Sequence, residues 1–203
     1  HGDKIVLQPT DLSGRLSRGL PMFLAEQVHL RTSARAIVCV PWVKRGGFVL
    51  SAVPWDLDSL ASMDVKADYI VLLHLRAIQQ PWQAQLNVVR KIDQKTLASW
   101  KRALDPDNPA ESIERITDEL LQELKVHADM KVLPPSEWLF PPGGALLPYY
   151  VGGLEQSLAV SCARLAPDTR PFLHAERSII ESLLDLCLRE PQNVVARLLF
   201  LTT

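Results

Sequence analysis

Cysteine is scarce in this sequence. The 203 residues contain three, Cys39, Cys162 and Cys187, and no two of them have CxxC spacing. An odd count without paired spacing argues against a disulfide framework. Each cysteine lies among apolar neighbours, where a free thiol behaves as a small hydrophobic group, so we expect all three to be buried.

Long hydrophobic runs are also missing. The longest apolar stretches, YIVLLHL and VVARLLFL, are far shorter than the roughly 20 residues that cross a bilayer. The sequence therefore predicts no membrane span. Because the chain starts at His1 without methionine and its end, LLFLTT, continues an apolar helical pattern, we expect it to be a piece of a longer protein.

The sequence has no excess of charge of one sign. It contains 22 Lys and Arg against 23 Asp and Glu, for a formal net charge of -1. A nucleic-acid partner is not expected, because no global basic field attracts a phosphate backbone. Hydrophobic residues make up 47% and charged residues 22%, which is typical of a folded globular protein.

Motifs of known chemistry are absent from the sequence. It contains no GxSxG elbow, no GxGxxG or GxxxxGK[ST] phosphate loop and no HExxH zinc pair. His74 is read as a strand histidine on the wetter face, and Asp56, Asp58 and Asp64 lack the acidic closing residue of a calcium loop. We therefore expect no enzyme activity, no cofactor and no metal in this chain.

The first forty residues predict strand, loop, helix and strand. KIVLQP (Lys4 to Pro9) suits a strand, and TDLSGRLSRG (Thr10 to Gly19) has the polar and glycine content of a loop. Apolar residues at helical spacing from Arg18 predict a helix, namely Leu20, Phe23, Leu24 and Val28. The continuous apolar run Arg35 to Trp42 suits a strand buried on both faces.

A three-stranded meander is predicted from Ala67 to Trp100 and just beyond. The first strand places Tyr69, Val71, Leu73, Leu75 and Ala77 on one face and His74 and Arg76 on the other. After a reversal at QQP, inward residues alternate with polar ones, and the inward set is Ala84, Leu86, Val88 and Ile92. A reversal at DQKT precedes the third strand, LASWKRAL.

The remainder of the chain predicts helices. Asn108 and Pro109 have the positions of an N-cap and a first helical residue, and a buried stripe follows at Ile113, Ile116, Leu120, Leu121 and Leu124. Residues 132–148 are rich in proline and glycine and are predicted to be a linker. Beyond it, three helices are marked by Leu154, Leu158, Cys162 and Leu165, then Ile179, Ile180, Leu183, Leu184 and Cys187, then Val194, Val195, Leu198 and Leu199.

This order of elements resembles the TolB amino-terminal-like domain of bacterial envelope proteins and regulatory proteins. The resemblance rests on KIVLQPTDLSGRLSRGLPMFLAEQV and on KADYIVLLHLRAIQQPWQAQLNVVRKIDQKTLASW, and it covers roughly residues 3 to 127. The stretch LREPQNVVARLLFL is similar to a tetratricopeptide (TPR) junction, in which a proline ends one helix and an asparagine caps the next. It departs from the TPR pattern in one respect, because Pro167 and Pro191 are 191 − 167 = 24 residues apart rather than the repeat of about 34.

The expected fold is therefore an α/β (α+β) mixed-sheet domain with helices packed on it, followed by a TPR-like helical-hairpin region. The predicted divisions are 3–131 for the α/β domain, 132–148 for the linker and 149–203 for the helical region.

Two groups of residues are candidates for binding. Thr10, Asp11, Ser13 and Arg15 form a predicted strand-to-helix loop, where backbone N–H groups and the Arg15 guanidinium suit an anion. The aromatic residues Trp138, Phe140, Tyr149 and Tyr150 crowd the linker. Exposed aromatic residues anchor interfaces, and the alternative is that these four seal the α/β domain against the helical region.

The expected function is protein–protein interaction or signal reception, without catalysis, in a larger bacterial envelope or regulatory protein. The alternative is a sensor domain that binds a small molecule or nucleotide at the first strand–helix loop. The resemblance implies a periplasmic or envelope location, while a cytoplasmic location and self-association into a homo-oligomer remain open.

Overall fold

The structure is a computed structural model that describes residues 12–40, 42–43, 47–48, 58, 60, 62–128, 130–134, 136, 138–165 and 176–203. The helices in these residues are α1 (Leu12–Arg31), α2 (Pro109–Ala128), α3 (Leu147–Leu165), α4 (Glu176–Arg189) and α5 (Val194–Thr202). The strands are β1 (Trp42–Val43), β2 (Gly47–Phe48), β3 (Tyr69–Arg76), β4 (Trp82–Arg90) and β5 (Lys95–Leu104). The mixed α/β class expected from the sequence is confirmed.

The predicted meander is confirmed as a three-stranded antiparallel sheet of order β3-β4-β5. In its register Leu73 pairs with Leu86, and Leu86 pairs with Trp100. Ala84, Leu86 and Val88 are fully buried on the inner face, as the period-two alternation requires. The ladder shifts register between Val88 and Val89, where Leu97 of β5 is the extra residue, and Val89 is buried as well although it alternates with Val88.

The inward position predicted for Ile92 is wrong. Residues 91–94 form the turn between β4 and β5, Gln94 has a φ of 54°, and the Ile92 side chain is 90% exposed. The first strand also departs from the prediction at Val71, whose side chain is 37% exposed, whereas Leu73 and Leu75 pack against the core.

Helix α2 begins at Pro109, as its sequence predicts. Its buried face contains the whole predicted stripe, Ile113, Ile116, Leu120, Leu121 and Leu124. The helix covers the inner face of the sheet and is tied to it by the Arg102 guanidinium, whose Nε donates to Glu119 Oε1 over 2.7 Å.

The loop predicted for residues 10–19 is wrong over the part that the structure describes, because α1 already begins at Leu12. The glycine and serine content of this stretch indicated a turn, yet Leu16 and Leu20 are fully buried and continue the apolar face of the helix. Tertiary packing of this face overrides the weak local propensity. The predicted strand at residues 4–9 lies outside the described residues.

The strand buried on both faces at residues 35–42 is also wrong over residues 35–40. This segment belongs to no strand, and its side chains alternate between exposed and half-buried. Ile37 is 56% exposed, and Cys39 is exposed rather than buried. Cys162 and Cys187 are half-buried, so none of the three thiols has the full burial predicted for it.

The last three helices lie where the sequence predicts them. Asn193 caps α5, since its side chain accepts a hydrogen bond from the Ala196 N–H over 2.9 Å. The buried face of α3, however, differs from the predicted stripe, because Leu165 is exposed and the buried residues include Leu147, Tyr150, Val151 and Val160.

One hydrophobic core cluster joins these parts. It contains Leu20 of α1, Leu86 of β4, Ile116 of α2 and residues of all three later helices, such as Val151 and Leu199. The helical region therefore packs on the α/β part, while the domain boundaries proposed at 131 and 149 stay a prediction.

Candidate functional site

The aromatic segment, defined here as residues 138–149, presents three large rings to solvent. The side chains of Trp138, Phe140 and Tyr149 are 70%, 51% and 71% exposed. Leu139 adds a fourth exposed apolar side chain. Exposed apolar surface of this kind is typical of an interface, since aromatic residues are enriched where proteins bind one another.

Hydrogen bonds between two polar side chains and the backbone of the aromatic segment hold this segment in place. The Ser136 hydroxyl accepts hydrogen bonds from the N–H groups of Trp138 and Leu139, at 3.3 and 3.2 Å. The Asn193 amide nitrogen donates to the Phe140 carbonyl over 3.2 Å, while the Asn193 oxygen caps α5. One asparagine therefore couples the aromatic segment to the last helix.

Tyr150 differs from the other three candidate aromatics, because it is 1% exposed and lies in the core. Its ring meets Phe23 of α1 edge-on, with centroids 6.3 Å apart. Its hydroxyl donates to Glu26 Oε1 over 2.6 Å. Of the two alternatives for Tyr150, the structure supports packing between α1 and α3.

Glu26 is a partly buried carboxylate at this helix interface. Loss of hydration on burial raises the pKa of Glu26, and hydrogen bonds from Tyr150 and Gln27 oppose that change. Burial, followed by the nearby Glu26 charge, raises the pKa of Tyr150 strongly, so the phenol remains a donor. The pair is therefore suited to fixing two helices and offers no activated nucleophile.

A second polar tie lies along the same interface. Arg18 Nε donates to Glu155 Oε1 over 2.7 Å, with both side chains largely buried. Between the two ties, α1 and α3 approach so closely that a Cβ on Gly19 would overlap the Val151 carbonyl. These contacts were not predicted from the sequence. The one indication there was Gly19, a glycine among apolar residues at helical spacing, which is typical of a close approach between two helices.

The residues of the predicted anion-binding loop are divided by the structure. Thr10 and Asp11 lie outside the described residues, and Ser13 and Arg15 lie in the first turn of α1. The side chain of Arg15 is half-buried. The strand-to-helix loop on which the prediction rested is therefore not present at residues 12–19.

A shallow pocket of about 660 Å³ lies where the β4–β5 turn meets the end of α2, with Asp68, Tyr69 and Ile92 in its wall. The adjacent Lys91 ammonium donates to the carbonyls of Met63 and Val65. This lysine, which also lines the pocket, holds the segment before β3 in place.

Within the part of the chain that the structure describes, the metal-ligating side chains form no cluster suited to a metal ion. No group of three His, Cys, Asp or Glu side chains there is placed to hold a metal ion. His74 lies half-buried on the outer sheet face, where burial and then the Arg76 charge lower its pKa. Asp56 of the predicted acidic loop lies outside the described residues.

The outer face of the sheet was not singled out from the sequence. Its residues are opposite in alternation to buried Ala84 and Leu86, and the register aligns them in rows: Arg76, Gln83 and Ala103, then His74, Gln85 and Lys101, then Leu72, Asn87 and Ser99. The three strands contain no aspartate or glutamate. The lack of acidic residues in these three segments is visible in the sequence, and it could have indicated this face as a candidate binding surface.

None of the helices in the described ranges is both long and apolar enough to cross a membrane. A scan against protein-family models finds no matching family. A search of curated proteins finds no match either.

Proposed function

We propose that this chain is a protein–protein interaction or signal-reception module without catalytic activity, part of a larger bacterial envelope or regulatory protein. The observation that carries the proposal is the aromatic segment, which exposes Trp138, Phe140 and Tyr149 and whose Phe140 carbonyl is held by Asn193. Aromatic anchors on a pre-organised backbone lose little conformational freedom on binding, which favours affinity.

The family assignment in this proposal is a TolB amino-terminal-like domain followed by TPR-like helices. The order of helix, antiparallel meander and helix supports the first part. The asparagine cap after Pro191 supports the second part. The periplasmic or envelope location comes from the resemblance.

A thermal-shift screen separates the interaction module from the small-molecule sensor. The 203-residue chain is titrated with nucleotides, sugars, amino acids and divalent metals, because a ligand at a hundred times its dissociation constant stabilises the native state by about 2.7 kcal/mol. The interaction module predicts no saturable shift. A saturable shift that the Arg15→Ala substitution removes, while Arg177→Ala on α4 does not, would favour the sensor.

A further inference from the structure

We infer that the outer face of the β3–β4–β5 sheet is a docking surface for an acidic, carboxylate-rich polypeptide segment. This surface is distinct from the aromatic segment, and the inference goes beyond the proposed function by naming the chemistry of a partner. It is carried by the distribution of charge between the two faces of the sheet.

The outer face combines two cations with neutral hydrogen-bonding groups. Arg76 on β3 and Lys101 on β5 are exposed and lie on the two edge strands, in adjacent rows about 12 Å apart across the sheet. Between them the central strand presents Gln83 and Gln85. Arginine and lysine side chains are donors without acceptor atoms, and glutamine amides add further donors.

Acidic residues are segregated to the opposite side of the same layer. Helix α2 carries five acidic residues, Glu111, Glu114, Asp118, Glu119 and Glu123, against two basic ones, Arg115 and Lys125. Because α2 packs on the inner face, a chain of net charge -1 still has a locally positive outer sheet face. Complementary potentials steer binding and set its specificity.

A polypeptide fits this face better than a nucleic acid does. The three outer rows contain no tryptophan, tyrosine or phenylalanine, and His74 is their one ring on which a base could stack. Two full charges also form a small footprint for a phosphate backbone. Carboxylates, in contrast, accept hydrogen bonds from each of the donor groups on this face.

The test uses a fluorescently labelled poly-glutamate peptide as probe, with fluorescence anisotropy as the readout at low salt. The full chain is expected to bind it, and Arg76→Glu with Lys101→Glu to weaken binding about tenfold, since exposed attractive pairs become repulsive. The control, Lys125→Glu with Lys131→Glu, makes the same change in net charge outside the sheet and is expected to weaken binding less than about twofold.

Several results overturn the inference: no binding of the peptide, an equal loss in the control variant, or tighter binding of a single-stranded oligonucleotide of equal charge. The chain could also associate with itself. If the double substitution Glu111→Lys and Glu114→Lys abolishes that self-association, the outer face binds a second copy of this chain instead of a separate acidic polypeptide. If the reversal variant does not fold by circular dichroism, Arg76→Gln with Lys101→Gln supplies the comparison. Replacement of Trp138, Phe140 and Tyr149 by alanine is expected to leave binding of the peptide unchanged. A negative result for the aromatic segment therefore does not decide the result for the sheet face, and the reverse also holds.

Discussion

The hydroxyl of Tyr150 donates a hydrogen bond to Glu26 Oε1 across the interface of α1 and α3, with 2.6 Å between the two oxygens. This contact joins residues 124 apart in the chain and brings the predicted helical region onto the first helix. Together with the Arg18–Glu155 ion pair, it fixes the relative position of the two helices.

Tyr150→Phe is expected to lower the free energy of unfolding by about 1–3 kcal/mol, because the partly buried Glu26 carboxylate loses the shorter of its two hydrogen bonds, that from Tyr150 rather than that from Gln27. The matched control is Tyr149→Phe, since Tyr149 is 71% exposed and should change stability little. Urea denaturation measures both. Equal stability of the two variants would show that the Tyr150 hydrogen bond contributes nothing.

The raised pKa of Glu26 predicts a specific pH dependence. In the folded state this carboxyl binds its proton more tightly than in the unfolded chain, so its contribution to stability is complete below the ordinary pKa of 4.5. The contribution is lost as the pH rises through the raised pKa of the folded state. Glu26→Gln should remove this part of the pH dependence when denaturation is repeated across the acidic range, and identical profiles for the two proteins would count against it.

Alanine substitutions at two glycines, Gly19 and Gly152, are expected to change the stability of the protein in different ways. A Cβ on Gly19 overlaps the Val151 carbonyl, so Gly19→Ala should destabilise the protein by about 1–3 kcal/mol through overpacking. A Cβ on Gly152 of α3 meets nothing within 4 Å, so Gly152→Ala should be neutral or stabilise by up to about 1 kcal/mol. Thermal unfolding distinguishes them, and the same sign of change in both would contradict the close approach of α1 and α3.

Asn193 links a helix cap to the aromatic segment. Asn193→Ala should cost about 1 kcal/mol in unfolding free energy, the usual value for a lost cap. It should also speed hydrogen exchange near Phe140, whose carbonyl loses its donor. Gln192→Ala is the control, because Gln192 is exposed. Faster exchange confined to α5 would mean that Asn193 does not hold the aromatic segment.

The sequence predicts the meander and α2 well, because in both the apolar period matches the face that is buried. Leu86 and Ile116 lie where strict alternation and the helical repeat place them. The prediction fails at residues 12–19, where Gly14 and Gly19 indicate a loop. Gly19 is instead required by a neighbouring helix 132 residues away, and local propensity has no access to that contact.

The candidate binding residues were also predicted only in part from the sequence. Composition found the aromatic residues of the linker but did not separate buried Tyr150 from exposed Tyr149, because successive helix positions point to different sides and only packing decides between them. Helix α3 has apolar residues on several faces, so periodicity selected Leu165, which is exposed, over Val151, which is buried. The buried contacts of Glu26 and Glu155 depend on that same choice of face.

The most direct test of the proposed function is affinity capture from a lysate of the cells that make the protein. Three immobilised forms are compared: the unaltered chain, a variant with Trp138→Ala, Phe140→Ala and Tyr149→Ala, and a control with Ile78→Ala and Ile92→Ala, which removes side chains 91% and 90% exposed elsewhere. If the chain is an interaction module, a specific protein is expected to remain bound to the unaltered chain and to the control. The same protein is expected to be lost from the aromatic variant. Equal retention by all three forms would contradict a binding role for the aromatic segment.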